Sequence, residues 1–439
     1  MKKIISKKFF AIGALLFLVN AGFAQTLPEL IQVALANNYQ IQILKNQQEM
    51  AANSNTIGNS GQLPSVGLTG GISTASNNIR QELANGSVNE GNNAQTSNMN
   101  FSLLANWRVF DGFGVYARKD QLEYLEQMGE LNAKFYIEQT VADIAVAYYQ
   151  LVYEKQVLEN HKMSLLISSY RLRLEEKRKS VGSGTLLDYG QAQVDYYTDS
   201  IARMTQETKI RSLEIELNRI LNQDLELNLN VDESTFSFEP VLAKDTLLAQ
   251  TQRNNIQLER FMLAELMAET ALRMEKANRY PLINLYGGFQ FTQSQAEIGF
   301  ILQNRNAGPV VGLNVNFNLF NGGQTNIAVK NAELELENTS LNTQLTNVNL
   351  DAQLLDLYNQ YNSLSDRIAL ARLNVETMQK VYQVASEQFS KGGINGYEFR
   401  LTQLSLLNAQ ITLTAQQFSL KLVEINLNRI AGTVVDSYL

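Results

Sequence analysis

The chain of 439 residues is built from one unit written twice, and this duplication limits its possible folds more than any other feature. The loop KSVGSGTLLDY, starting at Lys179, returns as FSKGGINGYEF, starting at Phe389, a shift of 389 − 179 = 210 residues. The same shift carries Ser180 onto Ser390, Gly182 onto Gly392, acidic Asp188 onto acidic Glu398 and Gln193 onto Gln403. It also carries Glu214 onto Glu424 and the run LNRI at 217–220 onto LNRI at 427–430. Upstream, NNYQI at 37–41 faces NNIQL at 254–258, and LPSVGLTGGI at 63–72 faces YPLINLYGGF at 280–289, a shift of 254 − 37 = 217. The first copy therefore holds seven extra residues between Ile72 and Phe110, where SNNIRQELANGSVNEGNN reads as a polar loop.

Each copy reads as helix, strand, loop, strand, very long helix, turn, helix. Alternation identifies the strands. In LNVNFNLF, Leu313, Val315, Phe317 and Leu319 point one way and Asn314, Asn316 and Asn318 the other. In FSLLANWRVF, Phe101, Leu103, Ala105, Trp107 and Val109 share one face and Ser102, Asn106 and Arg108 the other. With 65–74 and 282–292, these runs predict two hairpins of two-faced strands, each close to the roughly 9 to 11 residues that cross a bilayer when tilted.

A seven-residue period identifies the long helices. Leu350, Leu354, Leu357, Tyr361, Leu364, Ile368, Ala371, Val375, Met378, Tyr382, Ala385 and Phe389 alternate steps of four and three. The first copy keeps Ile137, Ile144, Leu151, Leu158, Leu165 and Leu172, but Glu154, His161 and Ser168 also fall on its seam, which is therefore less dry. None of the five prolines lies within 65–239 or 310–439, so helices over 115–179 and 324–389 are permitted, each about 100 Å at 1.5 Å per residue. Helices over 30–62, 188–221, 246–279 and 398–431 are about half as long. They are expected to stack end to end beside the long ones. The domain reading is a signal peptide over 1–24, a first repeat over 25–221 with strands at about 63–74 and 99–110, a connecting equatorial segment over 222–240, and a second repeat over 241–439 with strands at about 281–292 and 310–320. The connecting segment breaks both periods and is expected to form an outer collar.

The N-terminus has a basic start, an apolar run and small Gly22 and Ala24, the pattern of a secretory signal cut after Ala24. A membrane anchor is the competing reading, but the apolar run is short of the about 20 residues a span needs. Cleavage would remove Lys2, Lys3, Lys7 and Lys8 and no acid, taking the net charge from −7 to −11, which argues against nucleic acid as a partner. With no cysteine, the chain has no disulfide framework, no thiolate metal site and no lipid-bearing cysteine. A single histidine and the absence of a GxxxxGK[ST] loop argue against an enzyme. No cofactor and no metal are expected. His161 lies in the heptad line, where packing or lumen lining explains it better than metal ligation. Met262, Met267 and Met274 would suit a copper exporter, but they share no helical face and read as packing residues.

Two hairpins supply four strands, which cannot close a barrel, so their edges would meet lipid unpaired. Closure must be intermolecular. Two copies give eight strands, whose interior side chains fill, whereas three give twelve and begin to leave a lumen. A homotrimer is the better reading, with Ser102, Asn106, Arg108, Asn314, Asn316 and Asn318 facing the water inside and apolar residues facing outer-membrane lipid. Trp107, the only tryptophan, marks the membrane interface or packs at a protomer contact.

Taken together, the double copy, ALANNYQI at 34–41, LP or YP before each hairpin, the exits VFDGF and LFNGG, and the two glycine turns resemble the TolC-like outer-membrane efflux proteins. The resemblance covers essentially the whole mature chain, through the order of motifs that are weak singly. It implies a mainly α fold with a transmembrane β-barrel portion, a trimeric α-barrel and β-barrel duct in the outer membrane reaching into the periplasm. It implies the channel of a tripartite efflux pump or type I secretion system, with a periplasmic adaptor (membrane fusion) protein and an inner-membrane pump or ABC transporter as partners. It further implies that the turns with Gly182, Gly184, Gly392 and Gly396 dock the adaptor, and that Asp188 and Glu398 line a constriction. Plain turn glycines, and carboxylates facing a helix dipole, are the simpler readings of the same residues. In many relatives a second acid follows one turn later, where Gln191 and Leu401 stand here. A coiled-coil scaffold without a pore is the alternative from another class.

Overall fold

The heptad segments form single helices, because nothing in either run interrupts the backbone ladder. In the computed structural model, which describes residues 25–231, 236–238 and 241–439, they are α3 (Gly114–Ser180) and α7 (Gln324–Lys391). The expected signal peptide lies outside the described residues. The remaining helices are α1 (Leu27–Asn37), α2 (Tyr39–Ser54), α4 (Leu186–Leu221), α5 (Lys244–Asn254), α6 (Ile256–Ala277), α8 (Gly396–Ile430) and α9 (Val434–Tyr438). The strands are β1 (Ser65–Glu82), β2 (Val88–Phe110), β3 (Leu282–Ala296) and β4 (Gln303–Asn316).

The helices expected to run unbroken over 30–62 and 246–279 are each interrupted, at Asn38 and Asn255, equivalent positions under the shift of 217. Asn38 has extended backbone and its Oδ1 accepts from the N–H of Gln40 and of Ile41, so it caps α2 in place of continuing α1. At each break another helix ends. Asn222 Nδ2 donates to the carbonyl of Asn37 at 3.0 Å, and Asn255 Nδ2 donates to the carbonyl of Ile430 at 2.8 Å. Gly432, just past α8, has φ +68°, and a Cβ there would stand 2.4 Å from the carbonyl oxygen of Asn254.

Contacts divide the chain into two compact units, each drawing on both repeats. The first comprises the residues up to Ile43, Lys134–Ile256 and Asn347–Leu439. Its core is formed by Leu30, Ile31 and Ala34 of α1, Val141, Ile144 and Leu151 of α3, Leu217 and Leu221 of α4, Ile425 of α8 and Val434 of α9. The described part of the connecting segment joins this core through Leu229, Val231 and Phe236. Leu225 and Leu227 of the same segment remain exposed. Along α7 every position of the expected heptad line from Leu350 to Phe389 is buried or half-buried.

The second unit comprises Leu44–Ala133 and Gln257–Thr346 and holds one antiparallel sheet in the order β1-β2-β3-β4. Its helical segments follow the same order. Gly129 of α3 lies close against Gln48 of α2, Arg273 of α6 pairs with Asp120 of α3 at 2.9 Å, and Lys276 of α6 pairs with Glu333 of α7 at 3.5 Å.

Two strand expectations need correction. The polar stretch read as a loop is mostly strand: β1 continues to Glu82, and β2 resumes at Val88 after a turn closed by Leu83 and Gly86. Both faces are polar there, so no apolar alternation reveals it, yet cross-strand bonding and the Arg80–Glu90 pair at 2.6 Å hold it together. Conversely, β4 ends at Asn316, leaving Phe317, Asn318 and Leu319 beyond it. Its last rung faces Leu282, which follows Pro281, a residue with no N–H for another rung.

Candidate functional site: a two-faced sheet and paired helical turns

The strand registers assign each expected wall residue to a face. Arg108 of β2 is opposite Asn284 of β3, which is opposite Asn314 of β4. Two residues along, Ser65, Asn106, Tyr286 and Gly312 form the next row; Ser102 lies opposite Thr69 and Gln290, and Asn100 opposite Gly71 and Thr292. One face is therefore polar or small in nearly every row. Asn316 continues it opposite Leu282, whereas Asn318 is outside the ladder. Tyr286 was not singled out from the sequence; its ring covers Gly312, where a Cβ would meet it at 2.4 Å.

The opposite face has rows Trp107–Leu285–Leu313, Val66–Ala105–Gly287–Val311, Leu68–Leu103–Phe289–Pro309 and Gly70–Phe101–Phe291–Ala307. The next row, Ile72–Met99–Gln293–Arg305, brings in polar groups. From Trp107 to Met99 is about 26 Å of strand at 3.3 Å per residue, enough for a tilted strand to match the apolar band of a bilayer-spanning barrel. Val66, Leu68 and Val311 are 70%, 73% and 78% exposed, so this face is bare in the single chain. Trp107 stands at the helical end of the band and donates its indole N–H to the carbonyl of Gln62 at 2.9 Å. Both edge strands, β1 and β4, have a neighbour on one side only.

In the first unit, the two glycine turns close the hairpins α3–α4 and α7–α8. Gly182 and Gly392 have φ +75° and +78°, with open space where a Cβ would be, so backbone conformation alone requires glycine there. Gly184 differs: a Cβ would stand 2.9 Å from Arg178 Cβ. Gly396 is no turn residue; it opens α8, and a Cβ would stand 3.0 Å from Arg171 Nη2.

Asp188 and Glu398 are both engaged in helix capping. Thr185 Oγ1 accepts from the N–H of Asp188 at 3.0 Å, and its hydroxyl donates to the Asp188 carboxylate at 2.6 Å. Asn395 Oδ1 accepts from the N–H of Glu398 at 2.9 Å, and Glu398 accepts from the N–H of Asn395 at 3.2 Å, a complete capping box. The helix-terminal reading of these acids thus has direct geometric support.

Between the hairpins lies a buried charge cluster that sequence reasoning missed. Arg400 of α8 donates two hydrogen bonds to Asp199 of α4, at 2.7 and 2.8 Å, and its Nε lies 3.8 Å from Asp195. Arg171 of α3 pairs with Asp195, whose other oxygen accepts from Gln191 Nε2 at 3.2 Å. Gln403 donates to the carbonyl of Ser164 at 2.9 Å, and Ser164 donates to Asp199 at 3.2 Å. Burial works against the Arg400 charge, but the hydrogen bonds and charge of Asp199, with Asp195, outweigh it and raise its pKa. Burial likewise holds His161 below its usual range, against the pull of Asp199. Toward the turns, Arg178 donates to the carbonyl of Phe389 at 2.8 Å and lies over its ring, while Phe389 stacks on Phe399 with centroids 4.6 Å apart. Among the described residues, no group of three His, Cys, Asp or Glu side chains is placed to hold a metal ion, and no helix is long and apolar enough to cross a membrane.

An open-edged sheet with one apolar and one polar face, joined to coiled helical hairpins, defines the class of outer-membrane channel components. Comparison with known proteins gives the same class. A sequence profile described as outer membrane efflux protein matches residues 30–223 and 247–433. Outer membrane protein TolC of Vibrio cholerae serotype O1 is 21% identical over 339 residues, covering 76% of this chain and 73% of that protein. Among solved structures, the Campylobacter jejuni CmeC outer membrane channel superposes with a TM-score of 0.79 at 15% identity, covering 96% of this chain and 91% of that one. The outer membrane protein VceC of Vibrio cholerae gives a TM-score of 0.73 at 17% identity, covering 92% and 96%. The chain belongs to the outer membrane efflux protein family. Its function is that of an outer-membrane efflux component, and the pore-free scaffold reading is set aside.

Proposed function

We propose that three copies of this chain join β4 to β1 into a twelve-stranded barrel that forms a passive conduit through the outer membrane, continued into the periplasm by the helices. One observation carries this reading. The sheet has an apolar face, a polar face and two unpaired edges, and in hydrocarbon those edges require strands from other copies. Ser102, Asn106, Arg108, Asn314 and Asn316 then line the water-filled side together with Tyr286. Amide, hydroxyl and small side chains of this kind select weakly among solutes. The conduit performs no chemistry and binds no cofactor. An inner-membrane pump or transporter supplies the energy, coupled through a periplasmic adaptor.

In the same reading the turns at Gly182 and Gly392 are the periplasmic tips that receive the adaptor, with Gly184 shaping the first tip. Gly396 acts from beside Arg171 and not as part of the tip itself. Asp188 and Glu398, repeated in each copy just past the tips, add negative charge around the aperture while capping their helices. Purified protein in planar bilayers is expected to conduct only as a trimer; trimers without conductance, or a monomer that remains water-soluble, would overturn the conduit. Replacing Gly182 or Gly392 with valine is expected to impair adaptor-dependent export while trimers persist. Normal export by an abundant variant would remove the docking role.

A further inference from the structure

Past the apolar band, toward the hairpin turns, the two faces of the sheet exchange character. The face that is apolar from Trp107 to Met99 continues as Thr74–Ser97–Gln295–Gln303 and Ser76–Gln95, and then reaches the Arg80–Glu90 pair. It has become polar. The face that is polar alongside the band remains so at Ser73–Asn98–Ser294–Asn304, but its next rows are Ala75–Thr96–Ala296 and Asn77–Ala94. Between Asn77 and Ile79, β1 advances 79 − 77 = 2 residues while β2 advances 94 − 91 = 3, so the extra residue lies on β2 and β1 keeps its alternation. Ile79 and its partner Gly91 therefore stay on this second face.

The connection between β3 and β4 folds onto the same face. Glu297 N–H donates to the carbonyl of Gln95 at 3.0 Å, and Gln95 N–H donates to the Glu297 carboxylate at 2.8 Å, which holds the start of the connection beside β2. Ile298 comes next, and it fills the space over Gly91: a Cβ there would stand 1.7 Å from Ile298 Cδ1 and 3.8 Å from Ala94 Cβ. Ala94 is only 2% exposed. Gly299, with φ +145°, lies beside Gln81, whose Oε1 would be 3.5 Å from a Cβ. The return is apolar as well, with Phe300, Ile301 and Leu302 exposed by 84%, 62% and 56%. Ala296 N–H donates to the carbonyl of Leu302 at 2.9 Å, one rung beyond Gln295–Gln303, so Leu302 shares the face of Ala296 and Ala75.

Resting on the conduit reading above, which turns this second face to the water-filled interior, we propose that the connections over 298–302 of the three copies form an apolar ring that narrows the outer mouth of the barrel. An exposed apolar loop could instead serve as an anchor in lipid. Two observations place it otherwise. Leu302 stands three residues past Arg305, about 10 Å beyond the row where the lipid-facing side turns polar, and it points to the opposite face. Ile298 is docked over Gly91 and Ala94 on that same interior face. A ring of apolar side chains in an otherwise polar duct is a barrier to hydrated ions, because it offers them no group to replace lost water. Apolar solutes meet no such barrier, so the ring favours their exit over the leak of ions.

The chain contains no cysteine, so an introduced thiol reacts alone. The test records single trimers of the full chain in planar bilayers while a charged methanethiosulfonate is added to Leu302→Cys or to Gln303→Cys, neighbours on opposite faces. Leu302→Cys is expected to lose current in steps, one for each copy modified, and Gln303→Cys to keep it. Two unmodified channels complete the test: Gly91→Val, which leaves Ile298 no room on the interior face, and the triple variant Phe300→Ser, Ile301→Ser, Leu302→Ser. Both are expected to conduct small ions better than the wild-type trimer. Equal block at both thiols, block at Gln303→Cys alone, or unchanged conductance of the serine variant would overturn the ring and leave the conduit intact. Unchanged conductance together with fewer trimers in the membrane would make the connection a lipid anchor and overturn the ring as well. Wild-type trimers that do not conduct would remove the conduit itself.

Discussion

The guanidinium of Arg400 holds both carboxylate oxygens of Asp199, joining residues 201 positions apart in the chain and one repeat to the other. The pair is buried, with side chains 10% and 6% exposed, and it shares Asp195 with Arg171 of α3. Such a cluster gains little over well-packed apolar residues, yet it tolerates no missing member, because a charge left alone in the interior has neither water nor partner. It therefore fixes the two hairpins of a chain in one arrangement more than it adds to stability.

Replacing Arg400 with methionine is expected to lower stability by about 3–5 kcal/mol, leaving Asp199 buried without its counter-ion. The double variant Arg400→Met, Asp199→Leu is expected to recover most of that loss. Thermal unfolding of the helical signal in detergent measures both. A double variant as unstable as the single one would show that shape and not charge pairing governs the site.

Glu138 of α3 has its carboxyl pKa raised from 4.5 to about 7, and burial also raises that of Asp143 on the same helix. Burial is the main cause; Arg429 of α8 opposes it and Asp436 of α9 adds to it. A raised carboxyl pKa means that the folded state favours the uncharged form, so the contribution is complete below the unfolded value of 4.5 and is lost as pH rises through about 7. Wild-type protein is expected to become less stable between these limits by about 1 kcal/mol, after allowance for solvent screening at a partly exposed group. Glu138→Gln is expected to flatten that slope. Parallel melting profiles from pH 5 to 8 would contradict the assignment.

The long helices and the membrane band were legible because one period dominates each, as in the line from Leu350 to Phe389 and in the alternation around Leu103. The strand extensions were not, since Arg80 and Glu90 lie where both faces are polar. The breaks at Asn38 and Asn255 were hidden because the repeated Asn-Asn pair marked the duplication and gave no loss of apolar period. The capping roles of Asp188 and Glu398 were partly legible, each standing three residues after a capping Thr185 or Asn395. The charge cluster had one signal, disagreement between the copies: the shift of 210 sets Arg400 against Gly190, Asp199 against Ala409 and Arg171 against Val381. Its members come from α3, α4 and α8, so no single segment displays it.

Three glycines near the first turn are expected to respond differently to alanine, although all are close in sequence. Gly190 lies within α4 with nothing within 4 Å of a Cβ, so Gly190→Ala is expected to stabilise by about 0.5–1 kcal/mol. Gly182→Ala is expected to cost about 1–2 kcal/mol, because φ +75° disfavours any side chain. Gly184→Ala is expected to shift the backbone of the turn, with Arg178 Cβ at 2.9 Å and Lys179 N at 3.1 Å from the new methyl group. Melting temperatures of the three variants give the order directly, and equal effects would contradict it.

The two faces of β2 give the sharpest contrast, because adjacent residues meet different surroundings. Leu103 lies in the apolar row with Leu68, Phe289 and Pro309, so Leu103→Arg places a charge toward hydrocarbon, at a cost of about 2–4 kcal/mol near the middle of a bilayer. Ser102 is one residue away, opposite Thr69 and Gln290, and Ser102→Arg places the same charge toward water. Leu103→Arg is expected to reduce the amount of protein assembled in the outer membrane. Ser102→Arg is expected to leave assembly near normal and shift single-channel currents toward anions, since it adds a positive charge to the wall. Quantified membrane trimers and reversal potentials under a salt gradient measure the two effects, and the opposite pattern would mean that the sheet faces are assigned the wrong way round.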